Sequence, residues 1–205
     1  ASLAIQKYYI AVPFHRQAYF QSLMNMPLPS ATQWDLMNDM ATSVIPVFNA
    51  LEDIAANGDI IHADDSGVKL LDVMKVNFNN PHKKRAGMFT TAILSKVDNH
   101  EIALFYNSQY HAGENMTKLL NKRTKLSQPI YICDALSRNL LSSDKTTLCH
   151  CLAHAYRKFD DLKAFYPNAC HYVMERLSAV YKHDDKTRTM SPVKRLAHHQ
   201  AYSKP

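Results

Sequence analysis

The chain first becomes strand-like at Asp59-Ile60-Ile61-His62-Ala63-Asp64-Asp65, an apolar run that ends in two carboxylates just before the break at Ser66-Gly67. A second run of the same kind, Pro129-Ile130-Tyr131-Ile132-Cys133, leads directly into Asp134. Both runs are short, apolar and contain β-branched residues, which is typical of buried strands. Each run therefore predicts a strand with an aspartate at its carboxyl end.

The two strand-end aspartates, Asp64 and Asp134, are the candidate catalytic and metal-binding residues. If their strands are neighbours, the two carboxylates can share Mg²⁺ and position a water for attack on a phosphate. A single strand-end aspartate more simply caps the turn that follows it. Adjacent residues of a strand point to opposite faces, so Asp65 is not expected to share a metal with Asp64 unless the strand bulges.

Around these strands, the chain changes from helical to strand-like periodicity. Apolar residues from Trp34 to Ala55 recur at alternating spacings of three and four, which predicts a helix with a kink or break near Pro46. A three-stranded meander is predicted next: its strand-like stretches are 60–64 with 68–73, then 88–97, then 102–106, with a loop at 77–86. The remaining predictions are strands at 129–133 and 146–149 and helices at 114–125, 152–165 and 169–181.

This order of elements predicts an α/β protein with an RNase H-like fold, a mixed five-stranded sheet flanked by helices and preceded by an N-terminal helical region. The predicted domains are a helical region over 1–58, an RNase H-like core over 59–182, and a helical insert or C-terminal extension over 183–205. In this fold the first strand and the strand after the first helix lie side by side. Asp64 and Asp134 are therefore expected to meet.

Composition favours a polyanionic partner, because the 205 residues carry a net charge of +6 and a pI of about 9.1. For any one basic cluster, a solvated face is the simpler interpretation. No apolar run approaches the eighteen or so residues of a membrane helix, and the N-terminus lacks a signal pattern. The sequence thus predicts a cytoplasmic chain with no membrane contact. The residues expected to contact DNA phosphates are Lys83, Lys84, Arg85, Arg157 and Lys158.

The four cysteines are predicted to be reduced thiols, since a chain of this length without a secretory signal does not suggest a disulfide framework. Cys149, Cys151 and His154 lie close enough in sequence to raise the question of a zinc site. A structural zinc site usually takes two ligand pairs from separate segments, and no second pair is present. Buried apolar thiols are the simpler interpretation, and the sequence leaves zinc open.

Several blocks of sequence occur together in a recognisable order. They are Pro13-Phe14-His15-Arg16-Gln17, Leu28-Pro29-Ser30-Ala31-Thr32-Gln33-Trp34, His62-Ala63-Asp64-Asp65-Ser66, His111-Ala112-Gly113-Glu114-Asn115, Cys133-Asp134-Ala135-Leu136-Ser137-Arg138-Asn139, Cys151-Leu152-Ala153-His154-Ala155-Tyr156-Arg157-Lys158-Phe159 and the stretch 191–205. With these blocks the chain resembles insertion-sequence transposases of the DDE class, specifically the family numbered sixty-six. The resemblance runs from about Tyr8 to Pro205.

The resemblance implies DNA transposition, which is metal-dependent DNA cleavage and strand transfer. Three carboxylates hold two Mg²⁺ or Mn²⁺ ions, one activating the attacking oxygen and one stabilising the leaving oxygen. Asp64 and Asp134 match the first two carboxylates. The implied partners are DNA, both transposon ends and target, and the resemblance allows a homo-oligomer. The third acid should be a glutamate on a downstream helix, within a block that this sequence does not contain.

Three hypotheses follow from the sequence. The leading one is a transposase catalytic-core fragment that is inactive alone because its third acid lies beyond Pro205, since Glu175 is more simply a solvated helical residue. The alternative is a non-catalytic DNA-binding remnant of a decayed mobile element, consistent with departures from the family pattern at Asp65-Ser66 and His111. An unrelated RNase H-like nuclease would need further acids within 59–182, and none stands at a persuasive position.

Overall fold

The computed structural model describes residues 1–80, 87–141 and 146–203, which form two compact units. The first unit comprises residues 1–57 and 119–124, and the second comprises residues 58–118 and the chain from 125 onward. Helices make up the first unit: α1 (Ser2–Ala4), a π-helical turn (Ile5–Tyr9), α2 (Phe14–Leu23) and α3 (Ser30–Ala55).

Helix α3 runs unbroken through Pro46, so a break into two helices is wrong. A proline inside a helix leaves the carbonyl four residues earlier, here that of Thr42, without its hydrogen bond. Thr42 and Pro46 are both exposed, so water can satisfy this carbonyl at little cost. A buried amide ties the start of α3 to α2: Gln33 Nε2 donates to the Leu28 carbonyl at 2.8 Å and to Gln21 Oε1 at 3.2 Å.

The second unit contains the five-stranded mixed sheet that the sequence predicts. Its strands are β1 (Ile60–Gly67), β2 (Phe89–Val97), β3 (His100–Ser108), β4 (Ile130–Cys133) and β5 (Thr147–His150). They lie in the order β3-β2-β1-β4-β5, in which β1 pairs antiparallel with β2 and parallel with β4. The pair β2–β3 is antiparallel and the pair β4–β5 is parallel. The predicted RNase H-like fold class is confirmed.

The structure contains a helix where the sequence predicted a strand and a loop. Residues 68–73 are predicted to continue the first strand and 77–86 to form a loop, but β1 ends at Gly67 and a helix spans Leu71–Asn79. Leu71, Met74 and Phe78 are spaced three and four residues apart, which is the helical period that the apolar run at 68–73 conceals. The helices are α4 (Leu71–Asn79), α5 (Ala112–Leu120), a 3₁₀ turn (Ser137–Asn139), α6 (Leu152–Leu162), α7 (Pro167–Thr187) and α8 (Pro192–Tyr202).

The two faces of the sheet have different surroundings. Ile61 and Ala63 of β1 are buried on one face, together with Ile93 and Leu104 of the neighbouring strands. Helix α5 packs on this face, where Asn115 Nδ2 donates to Thr91 Oγ1 at 2.8 Å. His62 and Asp64 alternate onto the opposite face, as a pleated strand requires. No helix in the described ranges combines the length and apolar character needed to cross a membrane.

Histidines join helix α7 to helix α8. His183 Nδ1 and His198 Nε2 are 3.0 Å apart, and the fully buried Thr187 places its hydroxyl oxygen 3.2 Å from His199 Nε2. Desolvation, followed by the nearby His198, Lys186 and His199, lowers the pKa of His183. A hydrogen bond between two imidazoles needs one nitrogen to accept, so full protonation of both rings removes it.

Acidification is therefore expected to loosen α8. Because the pKa of His183 is lower when folded than when unfolded, the unfolded chain binds more protons, and stability falls as the pH falls through the ordinary histidine pKa of about 6.5. Amide hydrogen exchange of residues 192–202 should be faster at pH 5.5 than at pH 7.5, after correction for intrinsic rates. The variant His198→Gln should show a smaller difference, and equal protection in the native protein at both pH values would contradict the prediction.

Candidate metal-binding and catalytic site

Asp64 and Asp134 occupy matching positions on two adjacent parallel strands. The β1–β4 register runs from Ile60 opposite Ile130 to His62 opposite Ile132, and each aspartate follows two residues further along the chain. Asp134 directly follows β4, but Asp64 lies inside β1; the predicted strand end at Asp64 is wrong, because pairing with β2 carries β1 on to Gly67. Both aspartates line one cavity of about 400 Å³ in the second unit. The structure thus brings these two sequence-predicted residues to a common cavity.

Asp64 presents its carboxylate to solvent, with a side chain that is 53% exposed. One oxygen, Oδ1, accepts the backbone N–H of Asp65 at 2.9 Å. The other, Oδ2, lies 3.6 Å from Nε2 of His154. The carboxylate therefore has room for further contacts on its cavity side.

Asp134 is held more firmly, by two donors on the same oxygen. Its Oδ1 accepts from Asn139 Nδ2 at 2.8 Å and from the backbone N–H of Leu136 at 3.3 Å. No described residue donates a hydrogen bond to Oδ2. This arrangement fixes the plane of the carboxylate and leaves one oxygen for an external ligand.

His154 is a residue of this cavity that sequence reasoning considered only as a zinc ligand. It lies in the first turn of α6, and its Nδ1 is buried without a hydrogen-bond partner among the described residues. Lys158, one helical turn later, lines a smaller cavity of about 300 Å³ together with Asp134 and His154. The spacing of four residues between His154 and Lys158 was the available sequence signal, because it places both on one helix face.

The other residues considered in the sequence analysis do not join Asp64 and Asp134 within the described part of the chain. Arg157 is exposed and lines neither cavity, and Lys83, Lys84 and Arg85 lie outside the described residues. Glu175 of α7 lines a separate cavity of about 760 Å³, where it lies 3.4 Å from His171 Nε2. Cys149 faces neither of the two cavities that Cys151 and His154 line. Within the described residues, no three His, Cys, Asp or Glu side chains are grouped to hold a metal ion.

The wall beside the aspartates is neutral. Burial raises the pKa of the Cys133 thiol, and burial together with the nearby Lys96 lowers the pKa of His62. These two groups therefore carry no charge near pH 7, and the carboxylates of Asp64 and Asp134 supply the negative charge of the cavity.

A family model matches the chain over residues 1–205, and its description is Transposase IS66 family. The chain belongs to the IS66 family of transposases. No curated protein and no solved structure matches it. The match confirms the family inferred from the sequence blocks, and membership of a transposase family implies DNA as a partner.

Transposases of the DDE class generally use a divalent metal ion, so the donor set can be tested for fit. Asp64 and Asp134 offer hard carboxylate oxygens, which Mg²⁺ and Mn²⁺ prefer. The exposure of Asp64 leaves room for the waters that Mg²⁺ retains. The two residues fit such an ion as a pair of ligands, with the remaining coordination left to water, nucleic acid or another carboxylate.

Asp65, the next residue of β1, lies on the opposite face of the sheet from Asp64 and has a structural role. Its side chain is only 3% exposed, Oδ1 accepts the Thr91 hydroxyl at 2.6 Å, and Oδ2 accepts the Ala112 N–H at 2.8 Å. Thr91 Oγ1 in turn accepts from Asn115, so the buried carboxylate joins β1, β2 and the start of α5. Two consecutive aspartates therefore have separate environments, one open to the cavity and one enclosed.

Proposed function

We propose that this IS66-family chain contains the metal-binding catalytic centre of a DNA transposase, with Asp64 and Asp134 as carboxylate ligands for Mg²⁺ or Mn²⁺. The observation that supports this most is the parallel pairing of β1 with β4, by which both aspartates line one cavity on one face of the sheet. The reaction class is phosphoryl transfer on DNA, as metal-dependent strand cleavage followed by strand transfer.

The bound metal would supply Lewis-acid activation of an oxygen nucleophile and stabilisation of the leaving oxygen. The protein groups then have separate tasks. Asn139 and the Leu136 N–H fix Asp134, while the open carboxylate of Asp64 faces the cavity. His154 Nε2 lies near Asp64, where it can donate to the carboxylate or exchange a proton with a nearby oxygen.

We propose that DNA phosphates bind beside this centre. Lys158 lines the smaller cavity next to Asp134, and Arg157 is exposed on the adjacent part of α6. A positive side chain near two carboxylates can hold a phosphate at the cavity edge while the metal offsets the negative charge of the aspartates. Lys83, Lys84 and Arg85 remain predicted phosphate contacts.

The described residues bring two carboxylates to this cavity, whereas the family resemblance implies three. We therefore propose that Asp64 and Asp134 bind metal weakly by themselves and that this stretch of chain alone cleaves little DNA. Glu175 is not proposed as the third ligand, because it lines the cavity of α6 and α7 without either aspartate. The proposed third acid is a carboxylate that the described residues do not bring to this cavity.

Calorimetric titration with Mn²⁺ tests the site. The native chain should bind Mn²⁺, and both Asp64→Ala and Asp134→Ala should weaken binding at least about tenfold, since each removes a direct ligand. Asp72→Ala is the matched control, because Asp72 is an exposed acid on α4 that lines neither cavity. Identical heats for the native chain and both site variants would refute the metal site and leave a DNA-binding protein without this chemistry.

A further inference from the structure

We propose that Asn139 is a positioning residue that orients the carboxylate of Asp134 for metal binding. The proposal rests on the proposed function, because it assigns a role toward the same site. Asn139 is fully buried in the 3₁₀ turn that follows β4, and its Nδ2 donates to Asp134 Oδ1 at 2.8 Å. It is thus an enclosed side chain in direct contact with a proposed ligand.

Three backbone features fix Asn139 itself. Its N–H donates to the Leu136 carbonyl at 2.9 Å, and its own carbonyl accepts the hydroxyl of the fully buried Tyr131 at 2.9 Å. A Cβ atom on Gly113 would lie 2.7 Å from the Arg138 oxygen and 3.2 Å from the Asn139 carbonyl carbon. Helix α5 therefore packs directly against the turn through a glycine, and the amide has little freedom to move.

The direction of the hydrogen bond determines which carboxylate oxygen stays available. Asn139 Nδ2 and the Leu136 N–H both donate to Oδ1 of Asp134, and no described residue donates to Oδ2. A carboxylate held through one oxygen keeps the other for a cation, in a fixed orientation.

A purely space-filling role would not favour asparagine at this position. Oδ1 of Asn139 is buried without a hydrogen-bond partner among the described residues, which is unfavourable in a protein interior. Leucine has a similar shape and would bury no unpaired oxygen. The amide is therefore better explained by its donor, which reaches Asp134, than by packing.

The test compares Mn²⁺ affinity, measured by electron paramagnetic resonance of the free ion, in the 205-residue chain and its variants. Asn139→Leu keeps the approximate shape and removes the donor, so affinity should fall about tenfold. The spectrum of the bound Mn²⁺ should also change, because the Asp134 carboxylate is no longer held in one orientation. Asn115→Leu is the control, since Asn115 is a buried asparagine that donates to Thr91 on the other face of the sheet.

The outcomes separate this inference from the proposed function. If Asp134→Ala binds Mn²⁺ as the native chain does, the proposed function fails and the role of Asn139 fails with it. If Asp134→Ala loses binding while Asn139→Leu keeps the native affinity and the native spectrum of bound Mn²⁺, the function stands and the positioning role is overturned. Asn139→Ala is the second variant in case the leucine does not fold; it also lacks the donor and should lose affinity, and native affinity in it would equally overturn the role.

Discussion

Asp65→Asn is expected to lower the free energy of unfolding by about 1–3 kcal/mol, although it changes only one atom of the side chain. Both oxygens of Asp65 accept hydrogen bonds, from the Thr91 hydroxyl and from the Ala112 N–H, and the side chain is almost fully enclosed. Asparagine offers one acceptor oxygen and one NH₂ group. Whichever way the amide turns, one buried donor loses its acceptor.

The neighbouring substitution Asp64→Asn provides the comparison. Asp64 is 53% exposed and its Oδ1 accepts only the N–H of the next residue among the described groups, so stability should stay within about 0.5 kcal/mol of the native value. Its Mn²⁺ binding should weaken instead, as in the proposed metal site. Urea denaturation and metal titration of both variants measure the contrast. Equal losses of stability in the two variants would contradict the assignment of these aspartates to opposite faces of β1.

Gly113→Ala is the second substitution with a large expected effect. Alanine usually stabilises a helix relative to glycine by about 1 kcal/mol. Here the new methyl group would lie 2.7 Å from the Arg138 carbonyl oxygen, which is backbone and cannot rotate away. Overpacking of this kind typically costs about 1–3 kcal/mol, so the net effect should be destabilising.

The same substitution should also disturb the proposed metal site, because the backbone that has to shift includes Asn139. We expect Mn²⁺ affinity to fall together with stability in Gly113→Ala. Gly67→Ala is the matched control: apart from its chain neighbours, no described residue has an atom within 4 Å of the added Cβ, and the φ angle of Gly67 is not positive. A Gly113→Ala protein as stable as the native one would show that α5 does not press against the turn.

Much of the sheet could be predicted because its information is local. The period-two alternation of a strand is enough to assign Asp64 and Asp65 to different faces, and the hydrogen bonds of the two side chains confirm that assignment. The adjacency of β1 and β4 followed from the order of the elements. The helix at Leu71–Asn79 was missed because its apolar and β-branched residues also suit a strand, and local sequence does not choose between them.

The finer features of the site depend on contacts that sequence spacing does not encode. Contacts with Tyr131 and with Gly113 of α5 hold Asn139 in place, and its position five residues after Asp134 does not predict these contacts. Arg157 and Lys158 carry the same charge, so a count of charges does not distinguish them. Adjacent residues of a helix point about 100° apart, and of these two only Lys158 lines the cavity beside Asp134.

The parallel pairing of β1 with β4 has a consequence for the order of folding. The hairpin of β2 and β3 closes through Asp98 and Asn99 alone and can form within about 1–10 μs. Ile60 meets Ile130 only after a loop of roughly 70 residues has closed, which is the slow kind of contact. During synthesis, Asp64 and Asp134 therefore come together only after Asp134 has left the ribosome. Metal affinity would then be acquired late, and Mn²⁺ binding would report the pairing of β1 with β4.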